Sequence, residues 1–194
     1  MITNIILAGV GGQGILTIAA VLDTAALANN LFVKQAEVHG MSQRGGAVQS
    51  HVRISDKEIF SDLIPEGKAD LILSVEPMES LRYLPFLKKD GWLITDSSPF
   101  INITDYPEQE ALYQKINELP NSILANATDI AKKLGNAKAA NIVLLGVASN
   151  LLSLSEHSII EAITSLFSRK GQRVVDKNIE AFFKGKEIAT EVAT

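Results

Sequence analysis

A glycine-rich turn near the amino terminus constrains the fold of this chain more than any other feature of its sequence. Gly9, Gly11 and Gly14 follow the spacing G-x-G-x-x-G between an apolar run, residues 5–8, and a helix-forming segment, residues 15–28. Glycine at these positions permits a tight strand-to-helix turn and lets backbone N–H groups approach an anion at the helix amino terminus. The sequence therefore predicts a strand–turn–helix unit at the start of an α/β fold.

The function of this turn has two interpretations. The glycines either bind a phosphate-bearing ligand or only allow the strand and the helix to pack closely. A dinucleotide site also needs an acidic residue about 20 residues later for the ribose, and Glu37, at the end of a second predicted strand, comes somewhat late. A hydride-transfer dehydrogenase is disfavoured, because no Tyr-x-x-x-Lys pair is present. The ligand candidates in the turn are Gly9, Gly11, Gly12, Gln13 and Gly14.

A second glycine-rich segment, residues 37–46, forms a polar loop with a single arginine, Arg44. A guanidinium group suits a carboxylate or a phosphate, because it donates two charge-assisted hydrogen bonds. The alternative is an ordinary surface arginine, but the flanking glycines favour a functional, movable loop. Ser42 is not in a G-x-S-x-G elbow, so a serine hydrolase is disfavoured. The site candidates of this loop are His39, Ser42, Gln43, Arg44, Gly45 and Gly46.

Strands alternate with helices in the first half of the chain, which predicts a mostly parallel sheet. We expect strands at residues 4–8, 31–38, 70–75, 92–96 and 122–125, a hairpin of residues 47–54 with 58–62, a helix over residues 77–87 and a turn at residues 90–91. Residues 97–121 are expected to be the least regular portion, because three prolines break any long element there. Helices are expected at residues 127–134, 137–152, 155–167 and 176–183, the last ending near Gly185. The predicted fold is a three-layer α/β/α Rossmann-like sheet, mostly parallel with an added antiparallel hairpin and a helical C-terminal third. It forms a single domain over residues 1–194.

Composition excludes several classes of function. The 194 residues include no cysteine, so the chain cannot form disulfides, ligate iron–sulfur clusters or use a catalytic thiolate. A net charge of −4 offers no basic stripe for nucleic acid. The longest apolar segment, residues 139–154, is interrupted by polar residues and falls short of the roughly 20 residues that a membrane span needs. We therefore expect a cytoplasmic protein that binds neither nucleic acid nor membrane.

The sequence shows no catalytic residue and no metal site. Of the histidines outside the second loop, His51 is expected to be packed or solvated on a strand, and His157 to lie on the surface at a helix start. Asp96 ends a predicted strand, where open α/β sheets line their ligand crevice.

The segment EVHGMSQRGG, residues 37–46, with SHVRIS, residues 50–55, resembles the gamma subunit or domain of 2-oxoacid:ferredoxin oxidoreductases. The glycine turn, NIVLLG at residues 141–146, and residues 178–182 with Gly185 fit the same family in order and spacing. The resemblance thus covers nearly the whole chain. Within the family, the sequence is most similar to the small (beta) subunit of indolepyruvate:ferredoxin oxidoreductase.

This resemblance implies a division of labour within a complex. The large (alpha) subunit would carry thiamine diphosphate, Mg²⁺ and iron–sulfur clusters. The complex would decarboxylate an arylpyruvate oxidatively to an aryl-acetyl-CoA, with ferredoxin as electron acceptor. This chain would bind no cofactor alone, but would help to enclose the active site and coenzyme A. Two other hypotheses remain: a freestanding Rossmann-type nucleotide-binding oxidoreductase, and a non-catalytic ligand-binding module.

Overall fold

The computed structural model describes residues 1–39 and 45–192. Within them, six strands form one mixed sheet in the order β2-β3-β1-β4-β5-β6. The strands are β1 Ile2–Val10, β2 Phe32–His39, β3 Ala47–Ser55, β4 Ala69–Ser74, β5 Leu87–Asp96 and β6 Ser122–Ala125. Strands β1, β4, β5 and β6 pair in parallel, whereas β3 is antiparallel to both β1 and β2. The predicted mostly parallel sheet with added antiparallel pairing is confirmed.

Helices cover both faces of the sheet and complete the three predicted layers. The helices of the described residues are α1 Ile15–Ala28, α2 Pro77–Arg82, α3 Gln109–Asn117, α4 Ala127–Lys133, α5 Ala140–Ala148, α6 Glu156–Phe167 and α7 Gln172–Val192. One buried cluster contains residues of α1, α4, α5, α6 and α7 and of one face of the sheet. A smaller cluster joins α2 and α3 with the other face. The helical C-terminal third is confirmed as well.

The first strand and helix follow directly from their apolar sequence. Every residue of β1 after Ile2 is buried, and alternate side chains of the strand enter the two clusters, as Ile5 and Ile6 do. Helix α1 spans the same residues, 15–28, that the sequence predicts. It packs against α6, α5 and three strands, β1, β2 and β3, because a helix that is apolar on most sides must be covered on more than one.

The predicted partner strand of the hairpin is wrong. Residues 58–62 form no strand, and β3 pairs with β2 instead. Both edges of β3 are occupied by β1 and β2, which leaves no backbone groups for a third neighbour. Side chains hold the segment in place: Arg53 donates to the carbonyls of Ser61 and Leu63 at 2.8 and 3.2 Å, and Lys34 pairs with Asp62 at 3.4 Å.

One other local prediction fails because longer-range pairing overrides a local signal. The predicted turn at residues 90–91 lies inside β5, where a register shift between Ala69 and Leu71 of the neighbouring strand accommodates it. The segment predicted to be the least regular, residues 97–121, contains one short helix, α3, which begins after Pro107 and ends before Pro120, in agreement with the prediction that prolines break any long element there.

Gly185 does not end a helix but lies inside α7, where this helix crosses α5. A Cβ atom at Gly185 would lie 1.9 Å from the Val143 carbonyl oxygen, and one at Gly146 would lie 2.0 Å from the Phe182 carbonyl oxygen. Each helix therefore places a glycine against the backbone of the other. The two glycines allow a contact too close for any side chain.

Candidate functional site

The glycine turn lies at the edge of the sheet where the parallel strands end. It follows β1, and its last residue, Gly14, is the N-cap of α1 with φ +84°. A Cβ atom at Gly14 would lie 2.5 Å from Asn141 Nδ2. Asn141, from α5, donates through Nδ2 to the Gly14 carbonyl at 2.9 Å. The turn is therefore shaped by its own left-handed backbone and by a helix 127 residues away in the chain.

Gln13 holds the ends of two strands together. Its Oε1 accepts from the Val10 amide at 2.7 Å, and its Nε2 donates to the Val75 carbonyl at 3.2 Å. Val75 also fills the space beside Gly9, where a Cβ atom would lie 2.4 Å from its Cγ2 atom. The side chain predicted as a ligand candidate thus supports the turn through hydrogen bonds at both of its polar ends.

The structure brings the two glycine-rich segments together. The Gly11 amide donates to the Gly46 carbonyl at 2.9 Å, and the Gly45 amide donates to the Gly11 carbonyl at 3.4 Å. Asn102, from the segment after β5, donates through Nδ2 to the Gly45 carbonyl. Of the other predicted loop residues, Ser42, Gln43 and Arg44 lie outside the described residues, and His39 is the last residue of β2.

Several backbone amides of the turn are available for an anion. The amides of Gly12, Gly14, Ile15 and Leu16 donate to no residue that the structure describes. The first turn of α1 carries no acidic residue. Unpaired N–H groups and the positive end of the helix dipole together favour a negatively charged ligand.

A cleft of about 680 Å³ opens on one side of the turn. Two lysines line it, Lys138 before α5 and Lys170 before α7, and neither forms an ion pair with any described residue. Asp96 and Asn178 add buried polar groups. Thr128 donates to the Asp96 carboxylate from its amide, at 3.3 Å, and from its hydroxyl. Burial raises the pKa of Asp96. The position of Asp96 confirms that a strand end lines the crevice.

A second, smaller cleft of about 360 Å³ lies on the other side of the turn. Its walls are mostly apolar, with Leu16 and Val48 among them, and Glu37 contributes a carboxylate. Glu37 thus faces the same cleft as the glycine turn. However, β3 separates β2 from β1, whereas a dinucleotide fold places the corresponding acidic residue on the strand beside the first.

Glu76 is a buried acid that the sequence reasoning missed. It follows β4, is 0% exposed, and caps α2 by accepting from the Glu79 amide at 2.7 Å. Its Oε1 accepts from the Phe100 amide at 3.3 Å and from the Tyr106 hydroxyl. Burial raises the pKa of Glu76. The available signal was Pro77, since proline is typical of the first helical position, with an acidic residue directly before it.

The two described histidines beyond β2 take structural positions, as predicted. His51 is 3% exposed, accepts from the Ile64 amide at 3.0 Å, and meets Phe86 edge-on at 5.5 Å. Burial lowers its pKa. His157 is on the surface and lies 3.3 Å from Glu161. Among residues 1–39 and 45–192, no group of three or more His, Cys, Asp or Glu residues could hold a metal ion.

The described part of the chain contains no helix that is both long and apolar enough to cross a membrane.

The fold and the site define a Rossmann-like α/β domain with a glycine-rich turn between β1 and α1. The family model described as "Pyruvate ferredoxin/flavodoxin oxidoreductase" matches residues 4–188, and the chain belongs to this family. Indolepyruvate oxidoreductase subunit IorB from Pyrococcus horikoshii is 39% identical, over 97% of this chain and 96% of that protein. 2-Oxoglutarate synthase subunit KorC from Methanothermobacter marburgensis is 31% identical, over 95% of both chains.

Solved structures share the fold. The gamma subunit of a keto/oxoacid ferredoxin oxidoreductase from Geobacter sulfurreducens superposes with a TM-score of 0.68 at 27% identity, covering 97% of this chain and 99% of that one. The 2-oxoglutarate:ferredoxin oxidoreductase from Magnetococcus marinus, solved with 2-oxoglutarate, coenzyme A and succinyl-CoA bound, has a TM-score of 0.78 at 23% identity. The match covers 98% of this chain but 31% of the Magnetococcus chain. This chain therefore spans about a third of that longer protein.

Proposed function

We propose that this chain is the small subunit of a 2-oxoacid:ferredoxin oxidoreductase that converts arylpyruvates, indolepyruvate among them, to aryl-acetyl-CoA. The observation that carries the proposal is the 39% identity to IorB over nearly the full length of both chains. Ferredoxin is the proposed electron acceptor of the complex. We take the 2-oxoacid substrate from the names of these relatives, because the described residues of this chain include no catalytic group that would identify it.

The chemistry of this reaction requires groups that we assign to the large (alpha) subunit. Iron–sulfur clusters are held by cysteine thiolates, and this chain has no cysteine. Thiamine diphosphate needs Mg²⁺ with oxygen ligands, and the described residues offer no acidic cluster for it. The partner subunit would therefore supply carbanion formation and electron transfer. This chain would position groups and exclude water around that centre.

Coenzyme A is the ligand that fits the 680 Å³ cleft and the turn beside it. Its phosphates match the amides of Gly12 and Gly14, which donate to no described residue, and the ammonium groups of Lys138 and Lys170. The Asn178 side chain, which donates through Nδ2 to the Val174 carbonyl at 2.7 Å, lines the cleft and leaves its Oδ1 for a ligand donor. Bound coenzyme A would supply the thiol that accepts the acyl group. The residues of this chain would hold its anionic part.

The same edge of the sheet offers an apolar surface for the partner. The exposed apolar residues there are Leu16, Val38, Phe100, Ile101 and Ile103, between 42% and 71% exposed. Leu16 lies at the start of α1, Val38 at the carboxyl end of β2, and the other three in the segment that follows β5. Exposed apolar groups clustered beside a ligand cleft are typical of an interaction site. A partner seated here would close the cleft against water.

The test is reconstitution with the cognate large subunit. Reduction of a viologen dye that depends on arylpyruvate and coenzyme A is followed, with each subunit omitted in turn. We expect activity from the pair and none from this chain alone. Activity of the large subunit alone that equals the activity of the pair would refute the proposal.

The cytoplasmic location expected from the sequence stays a prediction, which cell fractionation would check.

A second candidate is a freestanding nucleotide-binding oxidoreductase, which the position of Glu37 in the smaller cleft favours. It predicts that the isolated chain binds NAD or NADP with a micromolar Kd, or roughly −8 kcal/mol. Calorimetric titration of the isolated chain with both dinucleotides separates the two candidates. Ligand binding with no turnover, even with every partner supplied, would instead indicate a non-catalytic binding module.

A further inference from the structure

The buried carboxylate of Glu76 connects segments that meet at the candidate site. Its Oε2 accepts from the Glu79 amide, and its Oε1 accepts from the Phe100 amide and the Tyr106 hydroxyl. No described basic side chain forms an ion pair with it, since the nearby Arg82 pairs with Glu79 at 2.9 Å. Three donated hydrogen bonds therefore stabilise a fully buried carboxylate. Burying a carboxylate costs free energy unless strong hydrogen bonds compensate for the hydration that it loses.

Two of these bonds fix the segment that follows β5. Phe100 and Tyr106 stand at either side of Asn102, so Glu76 holds that stretch on both sides of it. Asn102 in turn donates to the Gly45 carbonyl, at the carboxyl end of the second glycine-rich segment. The carboxylate is thus one side chain removed from the loop that carries Gly45.

The contacts continue from this loop to the first glycine turn and back to β4. Gly45 and Gly46 exchange hydrogen bonds with Gly11, at 3.4 and 2.9 Å. Gln13 then links the turn to the Val75 carbonyl at 3.2 Å. Val75 is the residue directly before Glu76. These hydrogen bonds, together with the short stretches of backbone between them, therefore form a closed ring around the edge of the sheet. Glu76 accepts two of the hydrogen bonds in this ring.

We propose that Glu76 is a positioning residue that fixes Gly45 and Gly46 relative to the first glycine turn, and so sets the conformation of that turn. It acts through Asn102 and touches no ligand itself. The inference rests on the proposed function only for its effect on coenzyme A. Its effect on the backbone of the turn is independent of the ligand.

The ring can be opened by substitutions that keep the size of the side chain. Glu76→Gln replaces one acceptor oxygen with a donor, so the amide faces either the Glu79 amide or the pair formed by Phe100 and Tyr106. Tyr106→Phe removes one bond and leaves the helix cap intact. The matched control is Tyr113→Phe, which removes a bond to the Ser97 carbonyl outside the ring. Ser97 keeps its own amide bond to the Ala125 carbonyl at 2.7 Å.

The first measurement is amide hydrogen exchange at Gly11 and Gly45 in the full chain. A hydrogen bond to a charged group contributes enough that its loss should speed local opening about tenfold. We expect this acceleration in Glu76→Gln, in Tyr106→Phe and in Asn102→Ala, but not in Tyr113→Phe. The double variant with Tyr106→Phe and Asn102→Ala should exchange little faster at these glycines than either single variant, because both substitutions break the same series of contacts. Unchanged exchange at both glycines in all three ring variants would overturn the proposal.

The second measurement is steady-state activity of the reconstituted complex. The ring variants should raise KM for coenzyme A several-fold while KM for the arylpyruvate stays at its wild-type value. Accelerated exchange with an unchanged KM for coenzyme A would overturn the positioning role in ligand binding. A wild-type complex with no dependence on coenzyme A would refute the proposed function instead, and the exchange data would still decide whether Glu76 fixes the turn.

Discussion

Two glycines of the turn offer a matched test of how its shape is maintained. Gly12 and Gly14 both have positive φ, +102° and +84°. A Cβ atom at Gly12 meets nothing within 4 Å, whereas one at Gly14 would lie 2.5 Å from Asn141 Nδ2. Alanine therefore introduces backbone strain at both positions but displaces a neighbouring side chain at only one of them.

The expected losses of stability differ accordingly. Left-handed backbone costs an L-residue about 1–2 kcal/mol, and the gain from restricting the unfolded chain is the same at both sites. At Gly14, Asn141 must also move and give up its 2.9 Å bond to the Gly14 carbonyl. Asn141 is 4% exposed, so its unpaired amide costs about 1–3 kcal/mol more. We expect Gly12→Ala to lose about 1–2 kcal/mol and Gly14→Ala about 2–5 kcal/mol.

Urea unfolding measures this difference, with fluorescence of the single tryptophan, Trp92, as the signal. Asn141→Ala supplies the control, because Gly14→Ala in that background should cost little more than Gly12→Ala does. The contrary result is an equal loss of stability for the two glycine variants in the wild-type background. It would show that Asn141 does not maintain the turn.

Two further predictions concern the crossing of α5 and α7 and the titration of a partly buried acid, Asp23. Gly185→Ala should destabilise the chain by about 1–3 kcal/mol, because its Cβ would lie 1.9 Å from the Val143 carbonyl oxygen; an unchanged unfolding midpoint would contradict the close crossing of α5 and α7. Burial raises the pKa of Asp23 from 3.8 to about 6, and its Oδ1 has no hydrogen-bond partner among the described residues. The folded chain therefore binds this proton more tightly than the unfolded chain, so stability falls as pH rises from about 4 to 6. Asp23→Asn should remove that fall and stabilise the chain at pH 7 by up to about 3 kcal/mol, which unfolding curves across this pH range would detect; a parallel pH dependence in the variant would contradict it.

Features set by neighbouring residues could be predicted from the sequence. The helix at residues 15–28 matches α1 at both ends, because an apolar run begins after a left-handed glycine and stops at a polar pair. The strands at residues 70–75 and 122–125 agree closely with β4 and β6. In each case, a short apolar run bounded by turn residues is sufficient to define the element.

Features that depend on distant residues were missed. The partner of β3 could not be inferred locally, because the competing edge is filled by a strand from earlier in the chain. From the sequence, Gly185 is predicted to end a helix. Only the structure shows that it packs against the backbone of α5. In the site, Asn141 lies 127 residues from Gly14 and Asn102 lies 57 residues from Gly45. Their roles come from the tertiary structure alone.

In the proposed function, the cleft beside the glycine turn binds coenzyme A for chemistry that another subunit performs. The most direct measurement is KM for coenzyme A in the reconstituted complex with Lys138→Ala, Lys170→Ala and the double variant. The control is Lys132→Ala, which removes an exposed lysine that pairs with Asp129 and does not line the cleft. We predict about a tenfold rise in KM for coenzyme A per cleft lysine, with KM for the arylpyruvate unchanged. A double variant with the wild-type KM for coenzyme A would contradict the claim.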